Sequence, residues 1–395
     1  MRICHFGSSH SSHVRRWVGW FAARGHENHI VTDLPSEIEG VTLHVLPSLR
    51  EFDPRPRWER FKDWSIHDWR LRHLRILKWA RDRVKEINPD IVHSHMLWYP
   101  GMLGAFVSSK KYVITVFNGD VSWRKDRRLI NCLGLRFALH KADAITSVSR
   151  NLLEDCLHWG ARKEKLHHIM RGVDLSRFHP VNDRLNLRRT LGLSPGPVVL
   201  SPRSASKLYN LDTILLATPE VIRHFPNAQV VFMWQSASEE EATTLKTLAA
   251  SLNLERNVHF VGNVPYERVH LYNQAADVMV SVPSHDGVSS SILEAMSCGD
   301  VPVASDLHTV REWIKSGENG LLVTPRDIKT LGEAIINLLK NEGMRKTIAE
   351  QNWKLIKEKG GQDYWMGKME ELYSSLIRGT RIRNGMGLLF KGRRA

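Results

Sequence analysis

The chain has little cysteine, no long apolar run and a shortage of acid. Its four cysteines, Cys4, Cys132, Cys156 and Cys298, are scattered through 395 residues. They show no metal-ligand spacing and are too few for a disulfide framework, which leaves them as reduced core thiols of a cytoplasmic protein. No stretch approaches the roughly 20 apolar residues that a spanning helix needs. The opening residues 1–7 are broken by Arg2 and His5 and lack the form of a signal peptide. A soluble protein, or one peripheral on the inner face of a membrane, is expected. Acids number 42 against 56 Lys and Arg, a formal net charge of +14. The excess gathers in two places. Residues 50–85 hold eleven cations beyond Arg50, among them Arg55, Arg60, Arg70, Lys78 and Arg81, and residues 378–395 hold six with no acid. In that tail Met386, Leu388, Leu389 and Phe390 interleave with the cations, a pattern that suits an anionic membrane surface. Nucleic acid competes for such charge, but no nucleic-acid module is recognisable, and no specific nucleic-acid partner is expected.

What is present is a strand–helix alternation, which argues for parallel sheets with crossover helices. The length suggests about two domains. In the first half, strands are predicted at 2–6, 27–32, 90–93, 112–117 and 144–148, with helices at 13–24 and 70–86. Val14, Trp17, Val18 and Phe21 mark the apolar face of the first helix, and Gly25 ends it. After a linker at 171–182 the pattern restarts. Strands are predicted at 198–201, 229–234, 258–261 and 277–282, and helices at 211–224, 265–275, 329–340 and 342–357. The reading is two Rossmann-like domains facing a central cleft, with ligands beyond the carboxyl ends of the strands.

Residues 281–306, SVPSHDGVSSSILEAMSCGDVPVASD, carry the most chemistry. They read as a strand end, an acidic turn, a helix mouth and a second strand. Asp286 and Glu294 bracket the mouth, with Gly287, Val288 and Ser289 between them. Unpaired N–H groups and the dipole at a helix start suit phosphate, while the flanking carboxylates suit sugar hydroxyls. A nucleotide-sugar carries both. The bland alternative is a serine N-cap on an ordinary buried helix.

The segment resembles the donor-binding motif of the retaining glycosyltransferases of family four (glycosyl transferases group 1), which have the GT-B fold. That motif has an acid, a glycine turn and a Glu eight positions on, running into Glu-Ala-Met-Ala-Cys-Gly and Pro-Val-x-Ala-(Ser/Thr)-Asp. Here the positions read Glu294-Ala295-Met296-Ser297-Cys298-Gly299 and Pro302-Val303-Ala304-Ser305-Asp306. The first acid, usually Glu in the family, is Asp286. Residues 142–149 and 169–180 match further family segments, with Met170 and Arg171 replacing the usual Pro-Asn. Residues 12–17 and 24–27 look like the first helix of one branch.

The resemblance implies an α/β GT-B fold. An N-terminal acceptor domain would span 1–180, helped by a helix at 363–378 crossing back to it. A donor domain would span 181–362, and 379–395 would form a basic tail. It implies retaining sugar transfer from a nucleotide-diphosphate-sugar to a carbohydrate or lipid-linked acceptor, with no cofactor and no metal required. Arg203 matches the family's phosphate-binding Arg. The family's Lys-Gly pair falls over Tyr209-Asn210, and Lys207 is expected to supply the second cation from a rearranged loop. Glu294 would hold the ribose hydroxyls, and Asp286 a hydroxyl of the transferred sugar. The N–H groups of Gly287, Val288 and Ser289 would face the distal phosphate or sugar. Asn263, Val264 and Tyr266 would border the nucleobase. Gly7, Ser9, His10 and His13 line the first turn, near donor phosphate and acceptor. Asp120 would face the cleft as a further catalytic group, although Phe117 or Asn118 stands where many members have a sugar-contacting His. His95 is expected to look into the cleft, and no third ligand is expected beside His93 and His95 to make a metal site. Another GT-B activity, such as a phosphorylase or epimerase, and a nucleotide-sugar binder without turnover are the competing readings. The oligomeric state is left open.

Overall fold

The computed structural model describes residues 1–47, 66–117, 129–234, 238–286 and 289–380, with the side chains of 66–73 and 129–132 outside that description. The expectations for Asp120, Gly287, Val288, the basic stretch 50–65 and the tail from 381 on concern residues outside those described. The chain divides into two compact units. The first comprises Met1–Arg171 and the chain from Met366 onward, and the second Gly172–Trp365.

The first unit is built on a seven-stranded parallel sheet of order β3-β2-β1-β4-β5-β6-β7. Its strands are β1 (Arg2–Phe6), β2 (Glu27–Thr32), β3 (Val41–Val45), β4 (Ile91–His95), β5 (Lys111–Val116), β6 (Ala144–Ser147) and β7 (Leu166–His168). Period-2 alternation splits β1 between two cores. Cys4 and Phe6 join a large cluster with Ile76, Leu103 and Leu139 from the helices Ile66–Ile87, Tyr99–Val107 and Leu129–Lys141. On the other face lie Val14, Trp17, Val18 and Phe21, the buried side of the helix Ser12–Ala23. Gly25 follows that helix at φ +79°, a left-handed turn that glycine adopts without strain. The helix Gln362–Arg378 buries Met366, Met369, Leu372 and Tyr373, and the Tyr373 ring lies 5.2 Å from Phe21. Fully burying an aromatic of this size contributes about 2–3 kcal/mol.

The second unit holds a six-stranded parallel sheet of order β10-β9-β8-β11-β12-β13. Its strands are β8 (Val198–Ser201), β9 (Gln229–Trp234), β10 (Val258–Asn263), β11 (Val278–Ser281), β12 (Val301–Ser305) and β13 (Leu321–Val323). β8, β9 and β11 are buried along their whole length, as strands covered on both faces must be. β10 runs two residues beyond its predicted end because a bulge between Phe260 and Gly262 keeps it paired. β3 was not predicted, because its pattern of half-buried residues carries no apolar run. Among the described residues, no helix is long and apolar enough to cross a membrane.

Candidate functional site

In the second unit, β8 and β11 are neighbours, so the loops leaving their carboxyl ends lie side by side. Asn210 stitches them. It sits in the left-handed region at φ 49°, and its amide donates to Val282 O at 2.8 Å and to Ser284 Oγ at 3.0 Å. Ser284 N donates to Leu208 O at 3.0 Å. The first loop carries Arg203 and the second Asp286. The guanidinium, 9% exposed, donates from Nη2 to Asp286 Oδ2 at 2.5 Å and from Nη1 to Ser289 Oγ at 2.5 Å. Its carbon lies 4.2 Å above the Tyr209 ring. Its Nε is buried with no hydrogen-bond partner among the described residues.

Ser289 is the N-cap residue of the helix Ser290–Cys298; its side chain makes no capping bond and instead accepts from Arg203. Glu294, 6% exposed, sits in the same helix, and Tyr266 OH approaches its Oε1 at 3.4 Å. Val264 is buried and Asn263 exposed at the end of β10. The second loop is tied again by Thr309, whose hydroxyl donates to Asp286 O at 2.8 Å. Gly299 ends the helix at φ +88° and turns the chain into β12. The arrangement gathers a charged fork, a helix N-terminus and a buried carboxylate. Lys207 lies on the exposed side of the short turn Lys207–Tyr209, while Tyr209 is the member of that turn that touches Arg203. Sequence reasoning did not assign Tyr209 a role. Its only signal was that it stands where the family's lysine falls.

In the first unit the predicted residues separate. Gly7 is buried, and a Cβ there would come 3.2 Å from His95 Cβ. The Ser9 hydroxyl donates to Leu34 O at 2.7 Å and accepts from Ser36 N at 2.8 Å, so it fastens one loop to another. His10 is exposed. His13 is bonded to Arg171, whose charge pushes the imidazole pKa far below its ordinary value.

His95 does not look outward. It is 1% exposed, and two expectations about it are corrected. Register places His5 beside His93 on adjacent strands, and period 2 puts His95 on the same face. Among the described residues His5, His93 and His95 form a three-imidazole group, with one ligand atom of each within 4.8 Å of the others. The third imidazole came from β1, 88 positions before His93, where no spacing rule looks.

The donor set does not fit a metal as it stands. Asn28 Nδ2 donates to His26 O at 2.8 Å, which leaves Asn28 Oδ1 to accept from His5 Nε2 at 3.1 Å. His5 Nδ1 must then accept from His95 Nε2 at 3.1 Å. His93 is held by Thr115 Oγ1 at 2.7 Å and by Tyr373 OH at 2.5 Å. Only His95 Nδ1 lacks a partner among these nitrogens. Burial lowers the pKa of His5 to about 4 and those of His93 and His95 well below their ordinary value. The group is a neutral hydrogen-bonded network inside the unit.

Two families match the chain in succession. Glycosyltransferase Family 4 covers residues 10–177, and Glycosyl transferases group 1 covers residues 183–354. N-acetyl-alpha-D-glucosaminyl L-malate synthase of Bacillus anthracis is 21% identical over 365 residues, 90% of this chain and 91% of its own. A GDP-mannose-dependent alpha-(1-6)-phosphatidylinositol monomannoside mannosyltransferase of Mycolicibacterium smegmatis is 25% identical over 266 residues, 65% of this chain and 68% of its own. Among solved structures, sucrose-phosphate synthase of Thermosynechococcus elongatus superposes with a TM-score of 0.76 at 19% identity, covering 96% of this chain and 99% of that one. Anabaena HepE in complex with UDP gives 0.75 at 17% identity, covering 95% and 100%.

Proposed function

We propose that this chain, which belongs to the glycosyltransferases of group 1 and family 4, moves a sugar with retention, and without a metal, from a nucleotide-diphosphate-sugar to a carbohydrate or lipid-linked acceptor. Its architecture is the α/β, two-domain GT-B fold. The observation that carries the reading is the convergence of Arg203, Asp286 and Ser289 at the mouth of the helix that carries Glu294. Breaking the bond from the anomeric carbon to phosphate leaves the electron pair on the departing diphosphate. Arg203 and the helix N–H groups meet that charge, with Lys207 as the outer cation. Asp286 takes a sugar hydroxyl and Glu294 the ribose hydroxyls, while Val264 and Tyr266 border the base. The acceptor oxygen attacks from the face the phosphate leaves, and its proton passes to a phosphate oxygen. The protein then contributes positioning and charge stabilisation.

Thermal-shift screening against UDP, GDP, ADP and their sugars tests the site. One of these should raise the melting temperature of the parent, by about 2.7 kcal/mol of stability at a hundredfold excess over Kd. Arg203→Ala should abolish the rise. A parent indifferent to all of them ends the donor reading. With the donor known, product NMR tests retention, and an inverted anomer would refute it.

A lipid-linked acceptor and contact with an anionic bilayer are supported by the solvent-facing Lys78, Arg81 and Lys85 of the helix Ile66–Ile87 and by the phosphatidylinositol mannoside named for the Mycolicibacterium smegmatis relative. Flotation should carry the protein up with anionic vesicles and not with neutral ones. Equal flotation with both removes the membrane from the account.

A further inference from the structure

We infer that Tyr209 is a positioning residue for the diphosphate: its ring is the platform that fixes the Arg203 fork. The inference rests on the donor reading above and deepens it. Arg203 lies in a nearly dry setting, with its guanidinium carbon 4.2 Å from the centre of the Tyr209 ring. A cation over the face of an aromatic ring is attracted by the ring quadrupole, more strongly where water is excluded. That contact occupies one face of the flat guanidinium. Its N–H groups radiate in the plane, two of them toward Asp286 and Ser289. The Nε–H remains buried and unpartnered among the described residues, a donor still to be used. A phosphate oxygen entering this site must therefore meet the edge of the fork, where the donors are.

The ring is held in place by its backbone. Tyr209 N donates to Ser206 O at 3.0 Å, closing the short turn Lys207–Tyr209. The next residue, Asn210, is clamped to Val282 O and Ser284 Oγ. The platform is thus fixed to both loops that form the site. A lysine at this position would add a second point charge on a flexible stem. Tyrosine adds no charge and instead restrains the one Arg203 already carries, so that less freedom is lost when the diphosphate binds.

The test compares Tyr209→Phe and Tyr209→Leu in the full chain by calorimetry, using the nucleoside diphosphate found by the screen and its parent nucleoside. Tyr209→Phe keeps the ring and should bind the diphosphate within about twofold of the parent protein. Tyr209→Leu should weaken diphosphate binding about five- to tenfold while leaving the nucleoside unchanged. If Tyr209→Leu does not fold, Tyr209→Met is read in the same way. Diphosphate binding that survives in Tyr209→Leu, or nucleoside binding that falls in step with it, overturns the inference and leaves the donor reading standing. A parent protein that binds no nucleoside diphosphate removes both.

Discussion

The two units bury their titratable groups in opposite ways. In the first, three imidazoles lie together on one face of the sheet, neutral and satisfied almost entirely by one another and by Asn28, Thr115 and Tyr373. In the second, the acid that is fully buried, Asp300, has neither oxygen partnered among the described residues. Two other acids there are ion-paired with little exposure: Asp277 with Arg188, and Asp286 with Arg203 beyond the carboxyl end of β11. The comparison separates two uses of polarity. A buried network closed on itself specifies packing, while a pair left at the rim of a sheet is available for exchange. Charge and imidazole alone did not distinguish them. Direction of burial did.

The largest effect expected from this contrast is acid sensitivity located in the first unit. The imidazoles are neutral when folded and have pKa values below those of an unfolded chain. Between about pH 6.5 and the folded values, the unfolded state therefore binds more protons, and stability falls as pH falls. For His5, with a folded pKa of about 4, the loss at full effect is on the order of 3 kcal/mol. Urea midpoints taken from about pH 7.5 to about pH 4.5 should decline steadily. His5→Gln should be less stable at neutral pH but show a flatter decline. Hydrogen exchange, corrected for its intrinsic rate, should place the early loosening in β1, β4 and the helix Gln362–Arg378. A decline that begins in β8 and β11, or a slope untouched by His5→Gln, would break the comparison.

These two regions were not equally legible in the sequence. The helix mouth at 289–294 was readable because its chemistry is local. A turn, a serine run and a carboxylate at helical spacing declare themselves within ten residues, and so do the strands that alternate with amphipathic helices. The imidazole network was not readable, because it exists only through the pairing of β1 with β4 and through a tyrosine 280 positions from His93. Tyr209 was hidden for a similar reason. Its role comes from a ring face presented across a turn, while the eye is drawn to the charge of Lys207, which the structure leaves on the exposed side. Ser9 shows the reverse. A serine in a promising turn is engaged by Leu34 and Ser36, contacts that no motif announces.

The smallest effect has the opposite sign and sharpens the contrast most. Burial raises the pKa of Asp300 well above its ordinary value, and the nearby Asp277 adds to this, although Arg184 and Arg188 pull the other way. Its carboxyl is therefore favoured in the protonated form when folded. The folded state binds a proton that the unfolded state has released, so this contribution is fully present below the unfolded pKa of about 3.8 and is lost as pH rises through the folded value. Asp300→Asn keeps the shape and removes the ionisation. It should raise the melting temperature of the full chain at mildly alkaline pH, with the gain shrinking as the pH is lowered toward about 4. Because Asp300 lies beyond Gly299, at the end of the helix opposite Ser289, the nucleotide-dependent shift should persist in the variant. A variant less stable than the parent at every pH would mean that the charged carboxylate is held by Arg184 and Arg188 after all. Asp300 would then be a paired buried charge like Asp277, and its contrast with the imidazole network would fail.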